Sequence, residues 1–233
     1  MQLAQWIKAP TSYNPDGGDS LNGVVFFSGG KDGLYALHLA EKMGIEVPYL
    51  LALKTTIGLS PHWENFGALE TLTKKMGRKM LTFDMARGSD ALADFIGSLG
   101  IEYLISGDVL LDDHKVWVES LTEKAGIKAL EPLWGRNTLE LAEEMLEEGF
   151  EWVIIAVDKE KLSRDALTYT FSSEQDLKNF LKAYPGVDPV GEFGEFHTVV
   201  LASPLFEGRF NLDVKSVEES ERYHWIRFGL VRA

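Results

Sequence analysis

The sequence predicts an α/β fold in which a doubly wound parallel sheet is followed by a smaller C-terminal α+β lobe. Between residues 24 and 157, short apolar runs alternate with helical segments, a pattern typical of a parallel sheet with crossover helices. A glycine follows each of five helical segments, where a left-handed backbone often ends a helix. From residue 172 onward the pattern changes to one helix and several strand-like runs. These observations indicate two unlike parts of one chain.

The first part is predicted to alternate strands and helices in a regular order. The predicted strands cover residues 24–27, 47–53, 79–83, 103–106, 127–130 and 152–157. The predicted helices cover residues 32–43, 64–76, 89–99, 116–125 and 138–148. The glycines that end these helices are Gly44, Gly77, Gly100, Gly126 and Gly149.

The second part is predicted to contain one helix over 173–183 and strands over 196–201, 209–215 and 223–231. We expect three segments overall. They are a leader over residues 1–22, a nucleotide-binding domain over 23–135 and a smaller substrate lobe over 136–233.

Composition excludes several classes of function. The 233 residues are 45% apolar and 25% charged, as in ordinary folded proteins, and the net charge is −13. This charge repels nucleic-acid backbones, so extended nucleic-acid binding is not expected. The chain has no cysteine, which excludes thiolate nucleophiles, persulfide sulfur transfer and disulfides, and a cytoplasmic protein is predicted. The apolar runs are far shorter than the ~20 residues of a membrane span.

The strongest functional signal is a glycine turn between the first predicted strand and the first predicted helix. Residues 28–33 read SGGKDG and follow the apolar run VVFF. The two glycines let the backbone approach an anion closely, and the start of a helix directs free N–H groups toward it. Ser28 and Lys31 add a hydroxyl group and a positive charge. A phosphate site is predicted, although a glycine-rich turn with an incidental lysine has the same pattern.

Two common nucleotide motifs do not fit this loop. A Walker A loop would need glycine at position 25 and Ser or Thr at position 32, where this chain has Val25 and Asp32. The dinucleotide-binding fingerprint is also absent.

The loop resembles the PP-loop, SGGxD[ST], of the ATP pyrophosphatase superfamily, whose members cleave ATP between its α and β phosphates. The resemblance implies that the loop binds the pyrophosphate end of ATP and that Asp32 helps to hold Mg²⁺. It assigns Lys31 and Asp32 to catalysis as well as to ATP binding. The usual final Ser or Thr is Gly33 here. The residues implied in ATP binding by this loop are Ser28, Gly29, Gly30, Lys31, Asp32 and Gly33.

Further blocks resemble the diphthine–ammonia ligase (diphthamide synthase) family within that superfamily. They are PLWGR at 132–136, DPVGEFGEFHT at 188–198 and PLF at 204–206. The resemblance runs in order from about residue 24 to residue 206. It implies a HUP-type (adenine nucleotide alpha hydrolase-like) domain, a smaller substrate lobe, and an ATP-dependent amidation that releases AMP and pyrophosphate.

Two departures from the family pattern leave the acceptor open. The family loop GEGGEY[EH]T reads GEFGEFHT here, so Phe193 replaces a glycine. The stretch SGDVLLDDHKVWVE at 106–119 is similar to the GDxxxxxHRxW version found in paralogues proposed to act in cobalamin salvage. The acceptor is therefore either protein-bound diphthine or a small carboxylate.

Polar residues of the later blocks complete the predicted site. On the resemblance, Glu192, Glu195 and His197 are assigned to catalysis, whereas the residues alone would favour a solvated loop. Gly107 and Asp108 are assigned to nucleotide binding, because Asp108 ends a predicted strand at the edge where doubly wound sheets bind ligands.

Two other groups of polar residues are candidates for ligand binding. Asp112, Asp113 and His114 favour a charged helix start over a metal site. His62 is equally consistent with ligand recognition and with aromatic packing.

The predicted function is that of an ATP-dependent carbon–nitrogen ligase. It adenylates a carboxylate and couples it to ammonia, which is free or supplied by a partner because the chain lacks a cysteine-dependent glutaminase. The predicted cofactors are ATP and Mg²⁺. The alternatives are a non-catalytic adenine-nucleotide-binding module, which Gly33 and Phe193 would indicate, and sulfur transfer to tRNA, which the missing cysteines and the negative charge disfavour. The sequence leaves open whether the protein is a homo-oligomer.

Overall fold

A computed structural model describes residues 21–56 and 58–233. Residues 1–20 of the predicted leader lie outside the described residues. No helix in the described ranges combines the length and the apolar character needed to cross a bilayer.

The first half of the chain forms a five-stranded parallel sheet in the order β3-β2-β1-β4-β5. Its strands are β1 (Asn22–Phe26), β2 (Glu46–Lys54), β3 (Lys79–Asp84), β4 (Tyr103–Ile105) and β5 (Lys128–Leu130). The chain moves outward from β1 to β3 and then returns to the other side of β1 with β4. The carboxyl ends of β1 and β4 therefore form a topological switch point, where open α/β sheets bind ligands.

Four of the seven α-helices in the described residues cover the two faces of this sheet. The seven helices are α1 (Lys31–Lys42), α2 (Pro61–Glu64), α3 (Phe66–Lys75), α4 (Ser89–Gly97), α5 (Asp112–Ala125), α6 (Thr138–Glu147) and α7 (Glu174–Ala183). Successive strand residues point to opposite faces. Val24 accordingly packs in a cluster with apolar residues of α4 and α5, and Val25 in a cluster with those of α1 and α3. The predicted doubly wound α/β fold is confirmed.

The second half forms an antiparallel sheet with β6 at its centre. Its strands are β6 (Glu151–Asp158), β7 (Thr170–Phe171), β8 (Phe196–Ala202), β9 (Phe210–Glu219) and β10 (Tyr223–Arg232). One edge of β6 pairs with β8, while β7 and β10 share the opposite edge, and β9 pairs with β10. The side chains of β6 from Trp152 to Asp158 are buried. This sheet lies against α1 and α3, so one apolar cluster extends through both halves of the chain.

Polar contacts between α1 and the α6 region also join the two halves of the chain. The Tyr35 hydroxyl donates to Glu144 Oε1 at 2.6 Å, and His38 Nε2 lies 2.6 Å from Glu148 Oε2. Lys42 adds a bond to the same Glu148 carboxylate at 2.7 Å. These contacts fix α1, and with it the loop that precedes α1, against α6.

Most predicted elements are confirmed, with differences that tertiary contacts explain. All five helix-ending glycines have positive φ, between 67° and 83°. The sixth predicted strand, β6, belongs to the antiparallel sheet and not to the parallel series, because a wholly apolar run suits the centre of either sheet. The predicted helix over 64–76 is broken at Asn65, whose side chain bonds to the backbone of Ile226 and Phe228 on β10.

Candidate functional site

A cleft of about 670 Å³ lies at the switch point of the parallel sheet. Its walls come from the loops that follow β1, β2 and β4 and from residues 190–198, which lead into β8. Each half of the chain therefore supplies one side of the same cleft.

The loop after β1 presents backbone N–H groups to this cleft. Gly29 has a φ of +79°, and a Cβ atom there would lie 2.8 Å from Leu69 Cδ2, so the turn requires glycine. The next residue, Gly30, is the N-cap of α1 and has no side chain to cap the helix. The N–H groups of Gly30 and Lys31 donate to side-chain hydroxyl oxygens, those of Ser28 and Thr198, each at 3.3 Å. The N–H groups of the next two residues have no hydrogen-bond partner among the other described residues, and at the positive end of a twelve-residue helix they favour an anion.

Lys31 is buried and joins the loop to the second half of the chain. Its backbone N–H donates to Thr198 Oγ1 at 3.3 Å. Its Nζ bonds to Asp32 Oδ2 at 2.9 Å and to the backbone oxygen of Val190. An ammonium group has three N–H donors, so one donor remains after these two contacts.

Asp32 Oδ1 is buried and has no hydrogen-bond partner among the described residues. Burial raises the pKa of the Asp32 carboxyl, while the adjacent Lys31 ammonium lowers it. A buried carboxylate oxygen without a donor requires compensation by a cation or a hydrogen bond.

Gly107 allows the loop after β4 to lie directly against residues 28–33, which are called the phosphate loop after their predicted role. A Cβ atom at this position would lie 2.6 Å from the carbonyl carbon of Asp32 and 2.7 Å from the nitrogen of Gly33. Both contacts are to backbone atoms, which cannot move aside as a flexible side chain can. Glycine at 107 is thus needed to bring the two loops together.

The loop 188–197 closes the other side of the cleft. Glu192 Oε1 accepts hydrogen bonds from the N–H groups of Val109 at 3.1 Å and Leu110 at 2.8 Å. Asp188 Oδ1 accepts from the N–H groups of Val190 and Glu192 and shapes the turn. Burial raises the pKa of Glu192. This carboxylate ties the second half of the chain to the loop that follows β4.

Glu195 and His197 differ in their relation to the cleft. Glu195 is 6% exposed and is not among the residues that line the cleft. Its Oε1 accepts a hydrogen bond from the Asp188 N–H at 3.4 Å. His197 lines the cleft, where its ring packs edge-on against His62 and Tyr223. Burial lowers the pKa of His197 to about 4 and that of His62 to about 3, so both rings are neutral near pH 7.

A second polar cluster lies beside the phosphate loop, at the end of β4. Asp108 accepts hydrogen bonds from Ser106 Oγ and from His114 Nδ1, the latter at 2.6 Å. The hydrogen bond to Asp108 raises the pKa of His114, although partial burial opposes this. Burial and the Asp108 charge raise the pKa of Glu131 nearby.

Most residues predicted for the site lie on this one cleft. The predicted residues that line it are Ser28, Gly30, Lys31, Asp32, Gly33, Gly107, Asp108, Glu192 and His197. Gly29 supports the turn beneath it, and Glu195 lies behind the loop. Asp112 and Asp113 occupy the first turn of α5, as predicted.

Several residues that line the cleft are absent from the predicted site. Four of them, Ser106, Thr198, Arg222 and Tyr223, were given no role from the sequence, and His114 was interpreted as part of a charged helix start. The tripeptide SGD directly after a predicted strand could have indicated Ser106 as a site residue. His114 lies six residues beyond Asp108, and only the turn between them brings the two side chains together.

The residues present fit a magnesium ion that arrives with a nucleotide. Among the described residues, no three His, Asp or Glu side chains are grouped as a metal site. Mg²⁺ is commonly held by one or two carboxylates together with substrate phosphates. The unpaired Asp32 Oδ1 at the positive end of α1 matches this donor set.

Comparison with known proteins identifies related sequences over nearly the whole described chain. A family model for the diphthamide synthase N-terminal domain matches residues 21–129, and one for the diphthamide synthase C-terminal domain matches residues 137–232. A solved structure described as a predicted subunit of tRNA methyltransferase from Methanocaldococcus jannaschii has a TM-score of 0.44 and 16% identity. It covers 79% of this chain and 98% of that one.

Several curated relatives are described as diphthine–ammonia ligases. The protein from Schizosaccharomyces pombe is 31% identical over 119 residues, which are 51% of this chain and 20% of that protein. The protein from Rattus norvegicus is 33% identical over 115 residues, which are 48% of this chain and 43% of that protein. The human protein is 30% identical over 118 residues, which are 50% of this chain and 44% of that protein. The chain spans less than half the length of these relatives.

Proposed function

Because the chain belongs to the diphthamide synthase family, we propose that it catalyses the ATP-dependent amidation of diphthine by ammonia. One observation carries the proposal, namely that the phosphate loop and the loop 190–198 line a single cleft. We further propose that residues 23–135 bind ATP and that residues 136–233 bind the acceptor. The names of the curated relatives support diphthine over a small carboxylate.

The reaction needs ATP because a carboxylate does not react directly with ammonia. Attack on the carboxylate carbon would have to expel an oxide ion. Transfer of AMP to the carboxylate releases pyrophosphate and gives a mixed anhydride. Ammonia then attacks the anhydride carbon, and AMP leaves as the amide forms. A site for this reaction must hold a triphosphate and a carboxylate close together.

In this proposal the phosphate loop binds the triphosphate. The N–H groups of Asp32 and Gly33 at the start of α1 and the remaining donor of Lys31 would stabilise negative charge as pyrophosphate leaves. Ser28 and Asp108, which also line the cleft, complete the nucleotide site. Asp32 would hold Mg²⁺ together with phosphate oxygens. When bound, Mg²⁺ supplies positive charge that offsets the charge of the leaving pyrophosphate.

The loop 188–197 is proposed to form the acceptor side of the site. Glu192 fixes this loop to the loop after β4, and its second carboxylate oxygen is available to orient ammonia or the acceptor. His197 offers a neutral ring on the wall of the cleft. Glu195 is assigned to holding the loop through Asp188.

Replacement of Lys31 by methionine tests the proposal at its phosphate site. Methionine keeps the apolar length of the buried side chain and removes its charge. Loss of a charge-assisted hydrogen bond, about 1.5–3 kcal/mol, should weaken ATP binding about 10- to 100-fold in calorimetry. The same variant should lose diphthine-dependent exchange of labelled pyrophosphate into ATP.

Lys124→Met is the matched control, because Lys124 is 55% exposed and pairs with Asp90 on the surface. It should leave ATP binding and exchange unchanged. Wild-type ATP affinity in the Lys31 variant would contradict the phosphate site. ATP binding without exchange in the wild-type protein would favour a nucleotide-binding module, and exchange with small carboxylates alone would favour the paralogue reaction. Cytoplasmic location remains a prediction from the sequence.

A further inference from the structure

The Asp108–His114 pair has the arrangement of an acid–base group, and the nucleotide chemistry described above does not use His114. The His114 side chain lies in the first turn of α5 and reaches back to the end of β4. Its Nδ1 is 2.6 Å from Asp108 Oδ1. Asp108 also accepts a hydrogen bond from Ser106, so its carboxylate is held from both sides.

The ring of His114 is fixed in position and still open to solvent. It stacks on Trp117, with ring centroids 5.1 Å apart, and Trp117 stacks on Phe26 at the end of β1. The side chain is 46% exposed, and the ring lines the cleft that contains the phosphate loop. The bond to Asp108 uses Nδ1, and Nε2 makes no hydrogen bond to other described residues. Nε2 is therefore free to exchange a proton with a bound reactant.

Resting on the proposed function, we propose that His114 Nε2 accepts the proton released when ammonia forms the amide. The nitrogen of ammonia attacks the adenylate carbon and the new C–N bond forms. The C–O bond to AMP then breaks, and its electron pair leaves on the AMP phosphate oxygen. One N–H proton passes to Nε2 of His114, and the carboxylate of Asp108 stabilises the resulting imidazolium.

His114 suits this role better than His197, the other histidine of the catalytic prediction. Three carboxylates face His114 from different elements, namely Asp108 after β4, Glu131 after β5 and Glu192 before β8. These charges favour its protonated form. His197 is half-buried, and this burial together with the charges of Arg222 and Lys31 disfavours its protonation. A group that must gain a proton during turnover is better placed among carboxylates.

The experiment separates the two half-reactions in His114→Gln, using ATP, ammonium and protein-bound diphthine. Pyrophosphate exchange reports adenylation, and incorporation of labelled nitrogen reports amide formation. We expect exchange within about threefold of wild type and amide formation reduced by about 10²-fold or more. In His114→Ala, added imidazole should restore part of the amide rate, because the exposed ring leaves an open space. His224→Gln is the control, since His224 lies beside Glu219 and away from the cleft.

A pH profile at constant concentration of unprotonated ammonia distinguishes a base from a positioning residue. The wild-type amide rate should rise with pH through the pKa of His114. This rise should be absent in His114→Gln and should move to lower pH in Asp108→Asn. Equal loss of both half-reactions, or loss of neither, would overturn the assignment. Absence of diphthine-dependent exchange in the wild type would overturn the proposed function itself, and this inference with it.

Discussion

Replacing Gly107 by alanine would place one methyl group between the phosphate loop and the loop after β4. The added Cβ would lie 2.6 Å from the Asp32 carbonyl carbon, 2.7 Å from the Gly33 nitrogen and 2.8 Å from the Asp32 oxygen. Ordinary contact begins near 3.4 Å, so the two loops would have to separate by about 0.8 Å. All three neighbours are backbone atoms, and the helix start itself would have to shift.

We expect this change to lower the free energy of unfolding by about 1–3 kcal/mol, as overpacking usually does. A displacement of this size in a catalytic loop should also reduce turnover by about 10²-fold. Denaturant titration measures the first effect, and calorimetry with ATP measures weaker binding. Gly67→Ala is the control, because Gly67 lies in α3 with open space around its Cβ position, and it should be neutral or stabilising. Wild-type stability and ATP affinity in Gly107→Ala would refute the close contact of the two loops.

Three further predictions concern the second side of the cleft. Burial keeps the pKa values of His62 and His197 at about 3 and about 4, below the ordinary value of 6.5. The unfolded chain therefore binds protons first as the pH falls, and stability should drop between pH 6.5 and about pH 4. Each ring contributes a loss of up to about 2 kcal/mol by pH 5. Urea titrations at pH 7 and pH 5 measure the loss of unfolding free energy between these two pH values. An equal loss in His197→Gln and in the wild type would contradict the prediction. Glu195→Gln should keep stability within about 1 kcal/mol and turnover within a few-fold, because the amide oxygen can still accept from Asp188. A loss of turnover near 10²-fold would instead make Glu195 an acid–base group. Glu192→Gln should retain the fold and ATP affinity, since its oxygen can still accept two N–H groups, but should reduce acceptor-dependent turnover about 10²-fold. Equal turnover in the Glu192 variant and the wild type would show that this carboxylate has no role in the reaction.

Local sequence patterns predicted the phosphate loop and the parallel sheet because both depend on neighbouring residues. The apolar run before SGGKDG and the glycine at each helix end are readable without tertiary information, and the structure has a strand, a turn and helices there. The fold of the first half was therefore accessible from hydrophobic periodicity and turn chemistry.

Features that depend on tertiary contacts or on the path of a loop were not predictable. The break at Asn65 follows from its hydrogen bonds to β10, more than 160 positions away. The start of α5 at Asp112, earlier than the predicted residue 116, brings His114 into the first helical turn. The pairing of His114 with Asp108 then depends on the path of that turn. Similarly, the burial of Glu195 behind its own loop could not be read from the sequence GEFGEFHT.

Analysis of the nucleotide products tests the central claim most directly. The wild-type protein is incubated with ATP, Mg²⁺, ammonium and protein-bound diphthine, and the nucleotides are separated by chromatography. We predict equal amounts of AMP, pyrophosphate and amide, formed only when acceptor and ammonium are both present. Accumulation of ADP and phosphate, or AMP formation that does not depend on the acceptor, would contradict the assignment of this cleft to adenylation and amidation.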